Sequence, residues 1–329
     1  MTAKDEIMIG YVGLGVMGGP MALNLLKAGF RVVVHDVRQE VAQAQLQAGA
    51  LWATSPAELA AQSDVIFTCL PSLSAIQAVA LGGDGLIEGI RPGAAYFEMS
   101  TNSRDLLDRL HAAFLLKDAQ VLDAPVSGGA LGAQRAQMGI WVGGDRATYD
   151  RFEPVLKAMG DRPIHVGEIG AGLVTKLVHN CASQATQAAI AEVFTLGVRA
   201  GADPLSLWAA IRQGSVGRRR SFDGLVDEFL PGEYDVAHAA LRIIEKDLQL
   251  ATQLGRELRV PMRFANLALA DVYEAMNRGW AERDARAVML LPQERAGVSI
   301  KVESDRIEEV LKNDPPAPTD TKRGRPVGD

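Results

Sequence analysis

The stretch IMIGYVGLGVMGGPMALNLLKAGFRVVVHD, residues 7–36, begins with a short apolar run that leads into a glycine-rich turn. Residues 7–12 are predicted to form a buried strand, and the pattern after the turn is typical of a helix that ends at Gly29. RVVVHD, residues 31–36, predicts a second strand. A strand, a helix and a strand in this order form a βαβ unit, so the two strands must be parallel.

The same alternation continues through the first half of the chain. DVIFTCL at 64–70 and AAYFEM at 94–99 predict further strands, each after a helix-like segment. We therefore expect an α/β fold in which residues 1–168 form a doubly wound parallel sheet.

The glycine-rich turn has the spacing GxGxxG, which by itself is a weak signal. Here the motif follows a strand and opens a helix, and Asp36 lies at the end of the next strand. These are the structural conditions of a dinucleotide-binding Rossmann motif, in which the backbone of the turn approaches a pyrophosphate. The residues predicted to bind it are Gly13, Leu14, Gly15, Val16, Met17 and Gly18.

Asp36 indicates which dinucleotide is bound. Its carboxylate can accept hydrogen bonds from both ribose hydroxyls of an adenosine and would repel a 2'-phosphate, which favours NAD over NADP. Arg38, two residues later, favours the opposite choice, because a guanidinium can bind that phosphate. We therefore expect NAD, with NADP as the alternative.

Composition limits the class of protein. The chain has 329 residues, 48% hydrophobic and 22% charged, so it can bury a core in each of two domains. Its two cysteines, Cys69 and Cys181, form no metal-ligand pattern, and no metal site is expected. The sequence has no long apolar segment and no signal-like start, which predicts a cytoplasmic protein without a membrane span. The net charge of −6 argues against bulk binding to nucleic acid.

GAGLVTKLVHNCASQATQAAI, residues 170–190, predicts a helix of small and apolar side chains with one polar stripe. Lys176, Asn180, Gln184 and Gln187 follow one another at spacings of four, four and three, which places them on one helix face. A lysine on a helix is usually a solvated surface charge. A single charge on an otherwise apolar helix indicates instead that this face borders a cleft.

The remainder of the chain reads as helical apart from its end. A long helix at about 171–200 is expected to connect the domains, and residues 169–298 are predicted to form an all-helical second domain. The tail, residues 299–329, is rich in proline and charge and lacks a periodic apolar face, so we expect it to be disordered.

Six ordered motifs resemble those of the β-hydroxyacid dehydrogenase family, which includes 3-hydroxyisobutyrate dehydrogenase and tartronate semialdehyde reductase. Together they cover residues 7 to about 300. In chain order they are the cofactor motif at 10–36, CLPS at 69–72, EMST at 98–101, the substrate loop DAPVSGGALGAQRAQMGIWVGGD at 123–145, the catalytic helix GAGLVTKLVHN at 170–180 and EKDLQLA at 245–251.

The resemblance implies an oxidoreductase that transfers a hydride between NAD and a small 3-hydroxy acid, or reduces the corresponding semialdehyde. Lys176 aligns with the family's catalytic lysine and Asn180 with the asparagine that orients it. Hydride transfer at an alcohol carbon requires such a group to take or return the hydroxyl proton. Because free lysine is a poor base at neutral pH, we expect burial to lower the pKa of Lys176.

The resemblance also implies binding residues and assembly. The carboxylate of the substrate is expected at Ser127, Gly128 and Gly129, where a Ser-Gly-Gly turn offers a hydroxyl and close backbone N–H donors. Helical second domains of this family pair between subunits, which implies a homo-oligomer, a dimer or a tetramer. Further residues implied at the cofactor are Leu70, Pro71, Thr101 and Lys246, and the alternative for Lys246 is a helix-surface ion pair with Glu245 or Asp247.

Several alternatives stay open. GSVGRRRSFDG at 214–224 has three consecutive arginines. They could bind a second anionic group of the substrate, with Arg218 as the candidate, or contact the cofactor pyrophosphate, unless the loop is only a solvated charged surface. KRGRP at 322–326 resembles an AT-hook, so a non-enzymatic NAD(P)-binding protein that contacts DNA is another alternative. Imine reductase-like NADP enzymes are a third, although they usually replace the lysine that this chain has at position 176.

Overall fold

The computed structural model describes residues 7–213, 223–259 and 262–313, together with 319–320 and 325–326. The chain divides into two compact units, Met1–Leu177 and Val178–Asp329. The predicted domain boundary at residue 168 comes directly after the last strand of the first unit, whereas the compact units divide inside the helix that follows.

The first unit contains one nine-stranded sheet. The strands are β1 (Met8–Val12), β2 (Arg31–His35), β3 (Leu51–Trp52), β4 (Val65–Thr68), β5 (Ala95–Glu98), β6 (Gln120–Asp123), β7 (Val126–Ser127), β8 (Gly139–Gly143) and β9 (Arg162–Gly167). The first six lie in the order β3-β2-β1-β4-β5-β6 and are all parallel, so the predicted doubly wound parallel sheet is confirmed. Strand β8 pairs antiparallel with β6 and β7 and parallel with β9.

Helices connect these strands, and several begin at side-chain caps. Ser55, Ser72, Ser103 and Asp145 each accept a hydrogen bond from a backbone N–H in the first turn of the helix that follows them. The helices are α1 (Gly18–Lys27), α2 (Gln43–Gln47), α3 (Pro56–Gln62), α4 (Leu73–Leu81), α5 (Leu86–Gly89), α6 (Arg104–Leu115), α7 (Gly129–Gln134), α8 (Arg146–Met159) and the first part of α9 (Ala171–Arg199).

A row of aromatic rings crosses the central strands and forms the middle of the core. Tyr11, Phe67 and Phe97 are in register on β1, β4 and β5, and their neighbouring ring centroids are 6.3 and 5.2 Å apart. Phe152 of α8 meets Phe97 edge to face at 6.0 Å. All four rings are fully buried. The row therefore holds the strands on both sides of the point where strand order reverses, which is where doubly wound sheets bind their ligands.

The second unit is mainly helical, as predicted. It contains the C-terminal part of α9, 3-10 turns at Asp223–Val226 and Ala285–Met289, and a short antiparallel pair of strands, β10 (Thr319–Asp320) and β11 (Arg325–Pro326). Its other helices are α10 (Pro204–Gln213), α11 (Leu241–Glu257), α12 (Arg263–Asn277), α13 (Leu290–Ala296) and α14 (Ser304–Asn313).

The structure differs from the predicted disordered tail over residues 299–313. This segment contains α14, and its side chains Ile300, Val302 and Ile307 are buried. The backbone N–H of Val302 donates to the carbonyl oxygen of Leu230 at 2.7 Å. Ile300 and Val302 belong to an extended segment and Ile307 to the helix. The three apolar residues therefore follow no single helix or strand period, which is why the sequence pattern did not indicate burial.

The turn between β1 and α1 depends on glycines in different surroundings. Gly13 has φ +92°, which side chains of L residues rarely adopt, and a Cβ at Gly18 would overlap the carbonyl oxygen of Gly13. Close packing of α1 on β1 therefore requires that position 18 has no side chain. At Gly15 no atom lies within 4 Å of the position that a Cβ would take.

The substitution Gly18→Ala is expected to lower the free energy of unfolding by about 1–3 kcal/mol, because its methyl group forces α1 away from β1. Gly15→Ala places the same methyl group in open space and should change that free energy by less than about 0.5 kcal/mol. Urea unfolding of the cofactor-free protein measures both. Equal stability of the two variants would contradict this account of the turn.

Candidate active site

Asp36 holds the glycine-rich turn in place. One carboxylate oxygen accepts the backbone N–H of Leu14 at 2.8 Å, and the other accepts the N–H of Arg38 at 3.0 Å. The N–H of Gly13 donates to the carbonyl oxygen of His35 at 3.0 Å. The residue that the sequence assigns to ribose binding therefore also fixes the geometry of the pyrophosphate turn.

The turn has the room and the donors that a dinucleotide pyrophosphate needs. In the part of the chain that the structure describes, no side chain caps the N-terminus of α1. The space beside Gly15 is open, and Val16 is 73% exposed. A helix N-terminus with free N–H groups attracts a phosphate through hydrogen bonds and the helix dipole. The residues present thus fit a bound dinucleotide.

A buried polar network organises the carboxyl ends of β4 and β5. Glu98, which is 1% exposed, accepts hydrogen bonds from the hydroxyl of Thr68 at 3.1 Å and from the backbone N–H of Ser100 at 2.8 Å. The hydroxyl of Ser100 accepts the N–H of Leu70 at 2.8 Å. The network therefore ties the segment of Leu70 and Pro71 to the segment that leads into Thr101.

These contacts place several predicted cofactor residues at one edge of the sheet. A Cδ atom of Leu70 lies 3.0 Å from the position that a Cβ on Gly13 would take, and the N–H of Cys69 donates to the carbonyl oxygen of Val12 at 3.0 Å. Glu98 and Ser100 are missing from the sequence-based set. The signal that could have found them is their place inside the EMST motif at 98–101, at the end of β5.

The first turn of α9 is bound by a buried carboxylate that the sequence did not reveal. Asp123, 3% exposed at the end of β6, accepts the N–H of Gly170 at 2.6 Å and that of Leu173 at 2.5 Å. Burial raises the pKa of Asp123, and the two backbone hydrogen bonds partly oppose this rise. A Cβ at Gly172 would collide with backbone oxygens of Trp141 and Asp123, so α9 begins in close contact with the sheet.

Asp123 also begins the segment that leads to the predicted substrate turn. Ser127 ends β7, and Gly128 and Gly129 follow with φ of +147° and +62°. Nothing lies within 4 Å of the position of a Cβ on Gly129, and both glycines are exposed. The turn is therefore accessible to a small ligand, and its backbone conformation is one that glycine adopts readily.

Lys176 and Asn180 lie one turn apart on α9, and both are half-buried. The side-chain amide of Asn180 donates to Asp247 at 2.5 Å, and its oxygen lies 3.0 Å from Nδ1 of His179. Asp247 is buried on α11 and also forms an ion pair with Lys246 at 3.3 Å. One carboxylate thus orients the predicted substrate amide and the predicted cofactor lysine. The sequence indicates Asp247, inside the EKDLQLA motif, as an alternative ion-pair partner of Lys246, but not its hydrogen bond to Asn180.

The polar stripe of α9 is at least partly shielded from solvent along its length. Gln184 is 4% exposed and the other three residues of the stripe are half-buried, whereas Val178 on another face is 62% exposed. In the second unit, a cavity of about 140 Å³ lies along this stripe. Its lining consists of Asn180, Ser183, Gln184, Gln187, His238, Ala239, Ile244, Asp284, Ala285 and Arg286.

Other predictions concern regions without a described site. Arg218 lies at 214–222, outside the described residues. Among the residues that are described, no group of His, Cys, Asp and Glu side chains is arranged to hold a metal ion, and no helix is long and apolar enough to cross a membrane. Burial, with a smaller contribution from the Asp247 carboxylate, raises the pKa of the Cys181 thiol.

Comparison with known proteins identifies the family. Residues 8–169 match the model of the NAD binding domain of 6-phosphogluconate dehydrogenase, and residues 170–291 match that of the NAD-binding domain of NADP-dependent 3-hydroxyisobutyrate dehydrogenase. 2-(Hydroxymethyl)glutarate dehydrogenase of Eubacterium barkeri is 32% identical over 90% of this chain and 98% of its own length. The chain belongs to the β-hydroxyacid dehydrogenase family.

Further members of the β-hydroxyacid dehydrogenase family are similar over most of their length. L-threonate dehydrogenase of Cupriavidus necator is 32% identical, over 85% of this chain and 94% of its own. The structure of Mycobacterium tuberculosis 3-hydroxyisobutyrate dehydrogenase with L-serine has a TM-score of 0.77 and 29% identity, over 87% of this chain and 98% of that one. The resemblance inferred from six motifs is therefore confirmed.

The substitution Asp123→Asn is expected to lower the free energy of unfolding by about 1.5–3 kcal/mol. Each carboxylate oxygen accepts one backbone N–H, and the NH2 group of asparagine cannot accept, so one of the two buried N–H groups loses its acceptor. Asp150→Asn removes an exposed carboxylate whose ion pair with Arg146 is also exposed, and it should cost less than about 1 kcal/mol. Urea unfolding at neutral pH measures both. A loss for Asp123→Asn no larger than that of the control would contradict the anchoring role.

Proposed function

We propose that the protein is an NAD-dependent dehydrogenase of small 3-hydroxy acids, which in reverse reduces the corresponding semialdehyde. The observation that carries this proposal is Lys176, a single half-buried lysine on a helix whose first turn is fixed by Asp123. Membership of the β-hydroxyacid dehydrogenase family and the fit of the glycine-rich turn to a dinucleotide support it.

The residues that would hold the cofactor come from strand ends and from α11. Gly13 to Gly18 would bind the pyrophosphate, Asp36 the adenosine ribose, and the Leu70–Pro71 and Thr101 segments would line the site, with Lys246 as a further contact. When bound, the nicotinamide supplies or accepts the hydride. Asp36 favours NAD, because its carboxylate repels a 2'-phosphate.

We assign the transfer of the substrate's hydroxyl proton to Lys176. During oxidation the substrate hydroxyl gives its proton to a neutral Nζ of Lys176 while the C–H hydrogen leaves as a hydride, and a carbonyl group remains. During reduction the charged ammonium returns the proton to the carbonyl oxygen. Asn180 would orient the reacting oxygen, since Asp247 accepts one amide hydrogen at 2.5 Å and so fixes the direction of the amide.

The substrate's carboxylate is assigned to Ser127, Gly128 and Gly129. The hydroxyl and the backbone N–H groups of this turn are donors, and the open space beside Gly129 admits a ligand. Arg218 stays a candidate for a second anionic group. We also propose, from the family, that the protein is a homo-oligomer and, from the sequence pattern, that it is cytoplasmic.

Lys176→Ala is expected to lower kcat by about 10²–10⁴-fold, the range that a general acid-base contributes, while the Kd of NADH changes little. The matched control is Lys157→Ala, which removes an exposed lysine that pairs with Glu153 on α8. Initial rates with a 3-hydroxy acid and a fluorescence titration with NADH provide the two measurements. A kcat within tenfold of the unmodified enzyme would refute the role of Lys176.

Asp36→Asn is expected to raise the ratio of kcat/KM with NADP to kcat/KM with NAD by about tenfold or more, because the variant no longer repels a 2'-phosphate and can still accept from the turn. Asp84→Asn, an exposed position in the loop after α4, is the control. The ratio is measured with the same hydroxy acid at saturation. An unchanged ratio would show that Asp36 does not select the cofactor.

A further inference from the structure

The cavity in the second unit continues from Asn180 along α9. Gln184 and Gln187, which line it, follow Asn180 by four and seven residues, about 6 and 10 Å along the helix axis. The cavity volume of about 140 Å³ exceeds what one water molecule needs. A substrate bound at Asn180 can therefore extend into a space that a three-carbon acid would leave unfilled.

Two of the side-chain amides that line this cavity each contain one buried atom for which the described part of the chain offers no partner. Within the described residues, Nε2 of Gln184 and Oε1 of Gln187 are buried and have no hydrogen-bond partner. Gln184 is 4% exposed, and Nε2 of Gln187 only reaches Ser183 at 3.5 Å. A buried polar atom without a partner costs free energy of folding, which a ligand can recover. Nε2 of Gln184 is a donor and Oε1 of Gln187 is an acceptor, and hydroxyl groups of a ligand can bond to either because a hydroxyl both accepts and donates.

The charges around the cavity do not favour a second anion. Arg286 forms ion pairs with Glu228 and with Asp227, the latter at 3.4 Å, and His238 lies 3.2 Å from Glu228. Asp284 accepts the backbone N–H groups of His238 and Arg286, both at 2.9 Å. The guanidinium is thus already neutralised, and an additional carboxylate would meet three acidic side chains.

We propose that this cavity binds the hydroxylated carbon chain of the substrate, which makes the substrate class polyhydroxy acids of four or more carbons. Gln184 donates to one hydroxyl oxygen, and Gln187 accepts from a hydroxyl group, with Ser183 beside it. The assignment deepens the proposed dehydrogenase function and rests on it. Alkyl-substituted 3-hydroxy acids and dicarboxylic hydroxy acids are the substrates that it disfavours.

The test compares substrates and matched variants of the full-length enzyme. Initial rates with NAD are measured for L-threonate, a five-carbon aldonate, 3-hydroxyisobutyrate and 2-(hydroxymethyl)glutarate. We expect kcat/KM to be at least tenfold higher for the polyhydroxy acids. Gln184→Leu should raise the KM for both acids about tenfold with little change in kcat, and Gln187→Leu, at a position farther from Asn180, should do so for the five-carbon aldonate. Gln253→Leu, the same change at an exposed position of α11 outside the cavity, should leave both constants unchanged.

A second measurement separates the cavity from the chemistry. With NADH present, L-threonate should raise the thermal unfolding midpoint of the unmodified protein and of Gln253→Leu, but not of Gln184→Leu. Gln184→Asn, which keeps an amide but shortens its reach, replaces Gln184→Leu if the latter does not fold. If no hydroxy acid is oxidised with either cofactor, the proposed function is wrong, and the thermal shift alone then tests whether the cavity binds L-threonate. A preference for 3-hydroxyisobutyrate or the dicarboxylate, or an unchanged KM in both leucine variants, overturns the assignment.

Discussion

The carboxylate of Asp123 joins the sheet to the helix that carries the candidate catalytic lysine. It accepts two backbone N–H groups from the start of α9, at Gly170 and Leu173, and these donors have no partner inside the helix. Because the carboxylate is buried, neither hydrogen bond competes with water. The placement of Lys176, one turn into the helix, therefore depends on the end of β6, and the same residue begins the segment that leads to Ser127.

Asp36 has a structural role beside the selective role that we propose for it. Both of its oxygens accept backbone N–H groups, so the carboxylate fixes the glycine-rich turn before any cofactor binds. Each oxygen still has a second lone pair for a ribose hydroxyl. Asp36 therefore has a direct hydrogen bond to the glycine-rich turn, through Leu14, in addition to its characteristic spacing from the glycines.

Buried carboxylates bind polar and charged groups at three places in the described part of the second unit. Asp247 holds Asn180 and Lys246, Asp284 accepts three backbone N–H groups, and Glu228 lies between Arg286 and His238. The charged groups are therefore largely satisfied by one another. Gln184 and Gln187 differ from these carboxylates, which form ion pairs or accept backbone N–H groups, because within the described residues no hydrogen bond reaches the buried Nε2 of Gln184 or the buried Oε1 of Gln187. This difference is the basis on which we propose that the cavity binds the part of the substrate beyond its reacting carbon.

The sequence by itself determined the parallel sheet, the position of the dinucleotide turn and the helical second unit, because each follows from local periodicity or from glycine and aspartate at fixed spacings. It also singled out the polar stripe of α9, since residues four apart share a helix face. It misjudged residues 299–313, where apolar side chains of an extended segment and a helix are buried without one common period.

Only the tertiary structure identified Asp123, Glu98, Ser100 and Asp247 as residues that position the candidate site. Asp123 lies 47 and 50 residues from its two donors, and Asp247 lies 67 from Asn180. A single sequence carries no signal for such pairings, because an aspartate that binds a distant backbone group has the same local pattern as one that faces water. Burial and the direction of a hydrogen bond separate the two, and both are properties of the folded chain.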